Sequence, residues 1–187
     1  MSILCQNGAI AIRRMKDCPE DYTLLSNWLT NPAVLEYYEG RDKPVSLQEA
    51  IDKYRPRIRG EEDVTPCIIE LEGEAIGYLQ YYLTDMENLL AGGSTYQNPY
   101  GLDLFIGETE YWNRGIGTKI IQLFISYLFE TEHADIVIID PQTRNKRAIR
   151  CYEKCGFQPI TVLEKNELHE GEYRDNLVMA ITKETLT

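Results

Sequence analysis

No apolar run in these 187 residues approaches the ~20 that carry a helix across a bilayer. The opening segment Met1-Ser-Ile-Leu-Cys-Gln-Asn-Gly8 lacks both the basic start and the apolar stretch of a secretory signal. Together these absences point to a cytoplasmic protein with no membrane partner. Cysteine is scarce and odd in number, five residues without paired spacing, which argues for reduced thiols and against a disulfide framework. Cys151 and Cys155 lie four apart, but no second Cys/His pair exists to complete a zinc site, so no metal is expected. All five read as small apolar side chains. Histidine occurs twice, at His133 and His169, and both read as loop or surface positions. Positive charge is also short. Nineteen basic residues face 30 acidic ones, a net charge of −11, which excludes the basic face that general nucleic-acid binding requires. There is no Gly-Lys-Ser/Thr of a phosphate-binding P-loop, no repeat, no low-complexity tract and no linker. One α/β domain over 1–187 is the expectation.

The charge that is present is unevenly placed. Between Pro141 and Phe157 stand Arg144, Lys146, Arg147, Arg150 and Lys154 against the single acid Glu153. Acids gather elsewhere, as at Glu61, Glu62, Asp63, Glu70, Glu72 and Glu74. One region therefore suits an anion, and the remainder suits a cation. The segment Tyr111-Trp-Asn-Arg-Gly-Ile-Gly-Thr-Lys119 strengthens the first half of that reading. Its two glycines follow an apolar strand and open a long amphipathic helix. Unpaired N–H groups at a helix start attract anions, and glycine lets a phosphate come close. A dinucleotide fingerprint is excluded, because Ile120 stands where a third glycine belongs and the motif lies past mid-chain.

Periodicity supplies the frame. A strand is expected at Ala9–Arg13, then a helix from Pro19 to Leu29 carrying Tyr22, Leu25, Trp28 and Leu29 on one face. Asn31-Pro32 caps and starts a short helix through Leu35 to Tyr38. Ser46-Leu-Gln-Glu49 is a capping box for a helix to about Ile58. Strands at Thr65–Leu71 and Ala75–Leu83 form a hairpin at Glu72-Gly73. The aperiodic stretch Asp85–Pro99 has the length of a lid or binding loop. A strand at Tyr100–Ile106 leads to the glycine turn and a helix to about Glu132. A strand at Asp135–Asp140, a helix from Asn145 to Lys154 closed by Gly156, and strands at Phe157–Leu163 and Asp175–Ile181 complete the chain.

The order strand, Arg114-Gly-Ile-Gly-Thr118, helix, strand, then Asn145-x-x-Ala-x-x-x-Tyr152-x-x-x-Gly-Phe157 resembles the GNAT acetyltransferase superfamily. The resemblance implies the acyl-CoA N-acyltransferase fold: an α/β (α+β) arrangement with a mixed central sheet flanked by helices. It implies acetyl-CoA as acetyl donor, its pyrophosphate at Arg114, Gly115, Ile116, Gly117, Thr118 and Lys119. The pantetheine arm would lie along Asn145, Arg147, Ala148 and Lys154 and the strand residues Leu104, Phe105 and Ile106. One position departs from the pattern. Trp112 stands three residues before the first glycine, where Gln or Arg is common, and this removes a polar contact the family often uses.

Within the superfamily the resemblance extends along nearly the whole chain to the aminoglycoside 6'-N-acetyltransferases. It rests on Trp28-Leu29, Val34-Leu-Glu-Tyr-Tyr38 and Gly40, Glu74-Ala-Ile-Gly-Tyr-Leu-Gln80, Tyr100-Gly-Leu-Asp-Leu-Phe-Ile-Gly107, Ile139-Asp-Pro141 and Arg147-Ala-Ile-Arg-Cys-Tyr152. Glu167-Leu-His-Glu-Gly171 is similar to the acetyltransferase half of a bifunctional acetyltransferase–phosphotransferase, and no kinase portion is expected here. The implied partner is a small polycationic aminoglycoside, and a homodimer is left open. An amine attacking a thioester needs a base near the nitrogen and a donor for the departing thiolate. The resemblance assigns these to Asp103 and Tyr152. Asp140, at the carboxyl end of its strand, and Tyr38, Gln80 and Tyr82 are expected around the acceptor. Asn145 also reads as a helix cap. Other GNAT acceptors, a siderophore hydroxylysine or a protein N-terminus, remain alternatives, as does an idle CoA-binding module.

Overall fold

The structure is a computed structural model that describes residues 3–86 and 96–186. Its frame is an eight-stranded sheet in the order β1-β2-β3-β4-β5-β6-β8-β7. The strands are β1 Ile3–Asn7, β2 Ile10–Arg14, β3 Thr65–Leu71, β4 Glu74–Leu83, β5 Pro99–Ile106, β6 Ile136–Ile139, β7 Gln158–His169 and β8 Glu172–Thr182. Every pairing is antiparallel except β5 with β6. That parallel pair is joined by the helix α4, Ile116–Glu130. Its ladder runs only from Pro99–Ile136 to Gly101–Ile138. Beyond Gly101 the two strands part, and a wedge opens beside residues 102–106.

Each helix begins where its sequence dictates. In α2, Pro32–Leu35, the Asn31 side chain accepts from the Ala33 N–H. In α3, Leu47–Ile58, the Ser46 and Glu49 side chains cap one another's backbone N–H. Pro19 opens α1, Pro19–Trp28, at a position whose N–H has no helical partner to lose. In α5, Lys146–Lys154, Asn145 accepts from Ala148 N at 3.2 Å, and Gly156 follows in the left-handed region at φ +98°.

The sheet is covered on both faces. Ile120, Ile121, Phe124, Ile125 and Leu128 of α4, with Ile149 and Phe157 of the α5 region, pack on Ile12, Cys67, Ile69, Leu79 and Leu102. Tyr22, Leu25 and Trp28 of α1, Ala50 and Tyr54 of α3 and Leu35 pack on Ile68 and Tyr78 of the other face. Strand alternation explains this sharing, since neighbours point to opposite sides. The alternation is interrupted at Ile76, where the β3–β4 register passes from Ile69–Gly77 to Glu70–Ala75. The freed Ile76 carbonyl accepts the N–H groups of Gly107 and Glu108 at 2.8 and 3.1 Å. This bulge fixes how the chain leaves β5 for the glycine turn.

The structure amends several expectations. A first strand, β1, precedes the one expected at Ala9–Arg13. The last two strands run well past Leu163 and start well before Asp175, meeting in a hairpin at Glu170-Gly171. His169, expected in a loop or at the surface, is fully buried at the end of β7 because the Glu36 carbonyl faces its Nε2 at 2.9 Å. His133 is exposed as expected. The centre of the expected 85–99 loop, residues 87–95, lies outside the described residues. Among the described residues no helix is long and apolar enough to cross a membrane.

Candidate active site

A cavity of 520 Å³ occupies the wedge between β5 and α5. Its floor is Leu104, Phe105 and Ile106, its far wall Asn145, Arg147, Ala148, Cys151, Tyr152 and Lys154 of α5, and its end the turn Gly115-Ile-Gly-Thr118. The turn is made by two left-handed residues, Asn113 at φ +60° and Gly115 at φ +73°. It delivers the start of α4 to the cavity with no side chain capping it. A Cβ on Gly117 would meet only Cys151 Sγ at 3.6 Å and Ile106 Cδ1 at 3.9 Å. Its hydrogen therefore keeps the cavity side clear rather than relieving a clash within the protein. Uncapped amides at a 15-residue helix start, beside the cationic Arg147 and Lys154, fit a diphosphate.

The expected cofactor residues divide in the fold. Leu104, Phe105, Ile106, Gly115, Ile116, Gly117, Thr118, Asn145, Arg147, Ala148 and Lys154 line the cavity. Arg114 and Lys119 are exposed and lie outside its lining. Arg114 instead stands over the Tyr111 ring, 5.9 Å from its centroid. Arg144 also leaves the basic run. It donates to the Glu36 carbonyl at 2.5 Å and to Gln142 Oε1 at 2.7 Å, and covers the Tyr37 ring. Arg150, a member of the basic run, and Tyr37 also line the cavity, though neither is among the residues expected at the cofactor. Cys151 lines the cavity. It faces Thr118 Oγ1 at 3.3 Å and is acidified chiefly by a hydrogen bond from Cys155.

On β5, Asp103 and Phe105 share a face with their β4 partners Gln80 and Tyr78. Gln80 Nε2 donates to Asp103 Oδ2 at 2.7 Å, and the Tyr82 hydroxyl donates to the same carboxylate. The Gln80 carbonyl accepts from Tyr78 Oη at 2.8 Å and from Arg57 Nη1 at 2.9 Å. Gln80 is thus anchored at its carbonyl end while its amide N–H orients Asp103. Arg57 and Tyr78, 46 and 25 residues away in sequence, were not legible as parts of this site. Desolvation raises the Asp103 carboxyl above its ordinary value despite these donors. Asp140, just past β6, is raised to about 7, first by desolvation and then by the charges of Asp103 and Glu167. Asn176 ties this corner together, donating to the Asp140 carbonyl at 2.7 Å and to Glu167 Oε2 at 3.2 Å.

Two aromatic residues stand where the cavity meets the acid cluster. Tyr38 packs edge-on against Phe105, ring centroids 4.7 Å apart, and lines the cavity. Tyr152 packs against Phe157 at 5.8 Å, and its phenol feels the charges of Asp103 and Asp140. Desolvation raises the Tyr152 phenol further above its ordinary range, so it holds its proton at neutral pH. The site thus joins an anion-binding end to a cluster of carboxylates, with a protonated phenol between them.

Comparison with known proteins defines the class. Residues 17–165 match the acetyltransferase (GNAT) domain, and the chain belongs to that family: it is an acetyl-CoA-dependent acetyltransferase. Its relatives narrow the group. The aminoglycoside N(6')-acetyltransferases type 1 of Klebsiella pneumoniae and Serratia marcescens are each 31% identical over 157 residues, 81% of this chain and 75% of theirs. The crystal structure of aminoglycoside acetyltransferase AAC(6')-Ib with coenzyme A superposes with a TM-score of 0.77 at 27% identity, covering 94% of this chain and 96% of that one. The same enzyme with coenzyme A and kanamycin gives 0.76 at the same identity and coverage.

Proposed function

We propose that this chain moves an acetyl group from acetyl-CoA to the 6'-amine of an aminoglycoside, by direct attack in a ternary complex, and so confers resistance. The reading also makes the cytoplasm, where acetyl-CoA is available, its place of work. The observation that carries it is the adjacency of a cavity with an uncapped helix start to the cluster Asp103, Asp140 and Glu167. Clustered carboxylates suit a polycation better than the single ammonium of a protein N-terminus. The similarity to enzymes of known regiochemistry supports the acceptor.

Acetyl-CoA, when bound, supplies an activated thioester. The chain's residues do the rest. Asp103 accepts a proton from the substrate ammonium, directly or through one water, leaving the free amine to attack. Its raised carboxyl is a better match to an ammonium than an ordinary aspartate. Gln80 and Tyr82 fix the carboxylate's orientation, and Asp140 holds a second ammonium of the acceptor. A backbone N–H near Phe105, on the part of β5 that β6 no longer pairs, polarises the acetyl carbonyl. Tyr152 donates its phenolic proton to the leaving sulfur and regains one from the second proton shed by the acylated nitrogen, while Asp103 returns the first to solvent.

Asp103→Ala is expected to lower kcat by about 10²–10⁴, the range for losing a general base, while coenzyme A binding measured by calorimetry is unchanged. Unaltered turnover on a kanamycin-type substrate would remove Asp103 from the base role.

A further inference from the structure

Trp112 breaks the cofactor motif by putting an indole where a polar side chain is common. The geometry shows what the indole does instead. Its Nε1 donates to the Ile106 carbonyl at 2.9 Å, which locks the ring to the end of β5. The guanidinium carbon of Arg147 lies over that ring, 4.0 Å from its centroid. Both side chains line the same cavity as Gly115 and Gly117.

The way Arg147 is held matters. Arg13, Arg41, Arg55, Arg57, Arg59 and Arg174 are each paired with a carboxylate. Arg147, like Arg14, Arg114, Arg144 and Arg150, makes no ion pair among the described residues, and of these five it is the one held over an indole. A guanidinium held over an indole face is positioned without spending its N–H donors, which stay free for another acceptor. A carboxylate partner would consume two of those donors and cancel the charge. An aromatic platform fixes the side chain without either cost.

We infer that Trp112 is a positioning residue that presents Arg147 to the pyrophosphate of the cofactor. Stacking thereby restores at Arg147 the polar grip that a Gln or Arg at position 112 would provide. This rests on the reading of the cavity as the acetyl-CoA site. Trp112 acts through Arg147 and makes no polar contact with phosphate itself. Arg147 is the residue that touches the anion, from the first turn of α5 across the wedge to the helix start of α4.

The test is affinity against a series of truncated cofactors. Calorimetry gives Kd for coenzyme A and for dephospho-coenzyme A, which keeps the pyrophosphate but lacks the 3'-phosphate. The kcat/KM for S-acetylpantetheine, which has no phosphate, serves as the control. Trp112→Ala and Arg147→Ala should each weaken both coenzymes by about tenfold or more, the scale set by removing a stacked cation or a charge-assisted hydrogen bond, with a several-fold smaller effect on S-acetylpantetheine. Trp112→Phe, which keeps a ring, should recover most of the affinity. Arg147→Lys, which loses the planar fork, should not. An equal loss with S-acetylpantetheine would show a merely structural tryptophan and overturn the inference. A loss with coenzyme A but none with dephospho-coenzyme A would move Arg147 to the 3'-phosphate and overturn the pyrophosphate assignment. Unchanged affinities would overturn it outright. Failure of the wild-type protein to bind coenzyme A at all would instead refute the cofactor reading on which the inference stands.

Discussion

Asp140 shows most clearly what neighbouring charge does to a single side chain here. Its carboxyl is raised to about 7 because it is part-buried beside Asp103 and Glu167. The folded protein therefore holds this proton more tightly than the unfolded chain does. The stability that results is fully present below about pH 4, the unfolded value, and is lost as the pH rises through about 7. Asp140→Asn should accordingly melt at a higher temperature than the wild type at pH 8, with the difference vanishing near pH 4. Catalysis should respond with the opposite sign, since only the ionised carboxylate attracts an ammonium. The wild-type kcat/KM for the aminoglycoside should rise through a step near pH 7 that Asp140→Asn lacks. Melting curves and pH–rate profiles of the two proteins check both. A wild-type step that persists unchanged in the variant would assign it to another group.

At the scale of elements, α1 is tied to the sheet by a pair that neither surface exposure nor salt weakens. Arg13 of β2 takes both oxygens of Asp21 of α1, at 2.7 and 2.8 Å, and donates to Glu70 of β3 at 2.6 Å. Arg13 and Asp21 are 6% and 2% exposed. Asp21→Ala should cost about 3–5 kcal/mol in urea unfolding, because it strands a buried guanidinium. A loss below about 1 kcal/mol would show that Glu70 alone satisfies Arg13. The sequence made such elements unequally legible. Helix starts were readable because Asn31, Ser46 and Asn145 act on amides two or three residues away. The β3–β4 hairpin was readable because Glu72-Gly73 marks a tight turn between two apolar runs, each buried on both faces. Strand β1 and the outer half of β7 were not, since an edge strand meets solvent and its polar run Glu164–Glu167 carries no alternation. The site divided in the same way. Asp103 and the glycine turn are local signals. The Arg57–Gln80–Asp103 chain and the Trp112–Arg147 stack exist only once the sheet and α5 bring distant residues together.

The whole molecule sets the long-range conditions for an anionic donor and, on the proposed reading, a polycationic acceptor. A net charge of −11 would draw an aminoglycoside toward the protein, while the cavity keeps a local excess of cations for the coenzyme. Raising ionic strength from about 0.02 to 0.3 M shortens the screening length severalfold. It should lower kcat/KM for the aminoglycoside by about tenfold or more, read from initial rates at saturating acetyl-CoA. An insensitive rate would locate recognition in short-range contacts alone. The joining of an anion-binding wedge to a carboxylate cluster across Tyr38 and Tyr152 is what the proposed aminoglycoside acetylation rests on. The most direct measurement of that claim is coenzyme A release with two matched aminoglycosides, one bearing a 6'-amine and the other a 6'-hydroxyl. Rapid acetyl transfer to the amine, with the hydroxyl compound binding but not acetylated, is the predicted result. Equal turnover of the two, or turnover of neither, would contradict it.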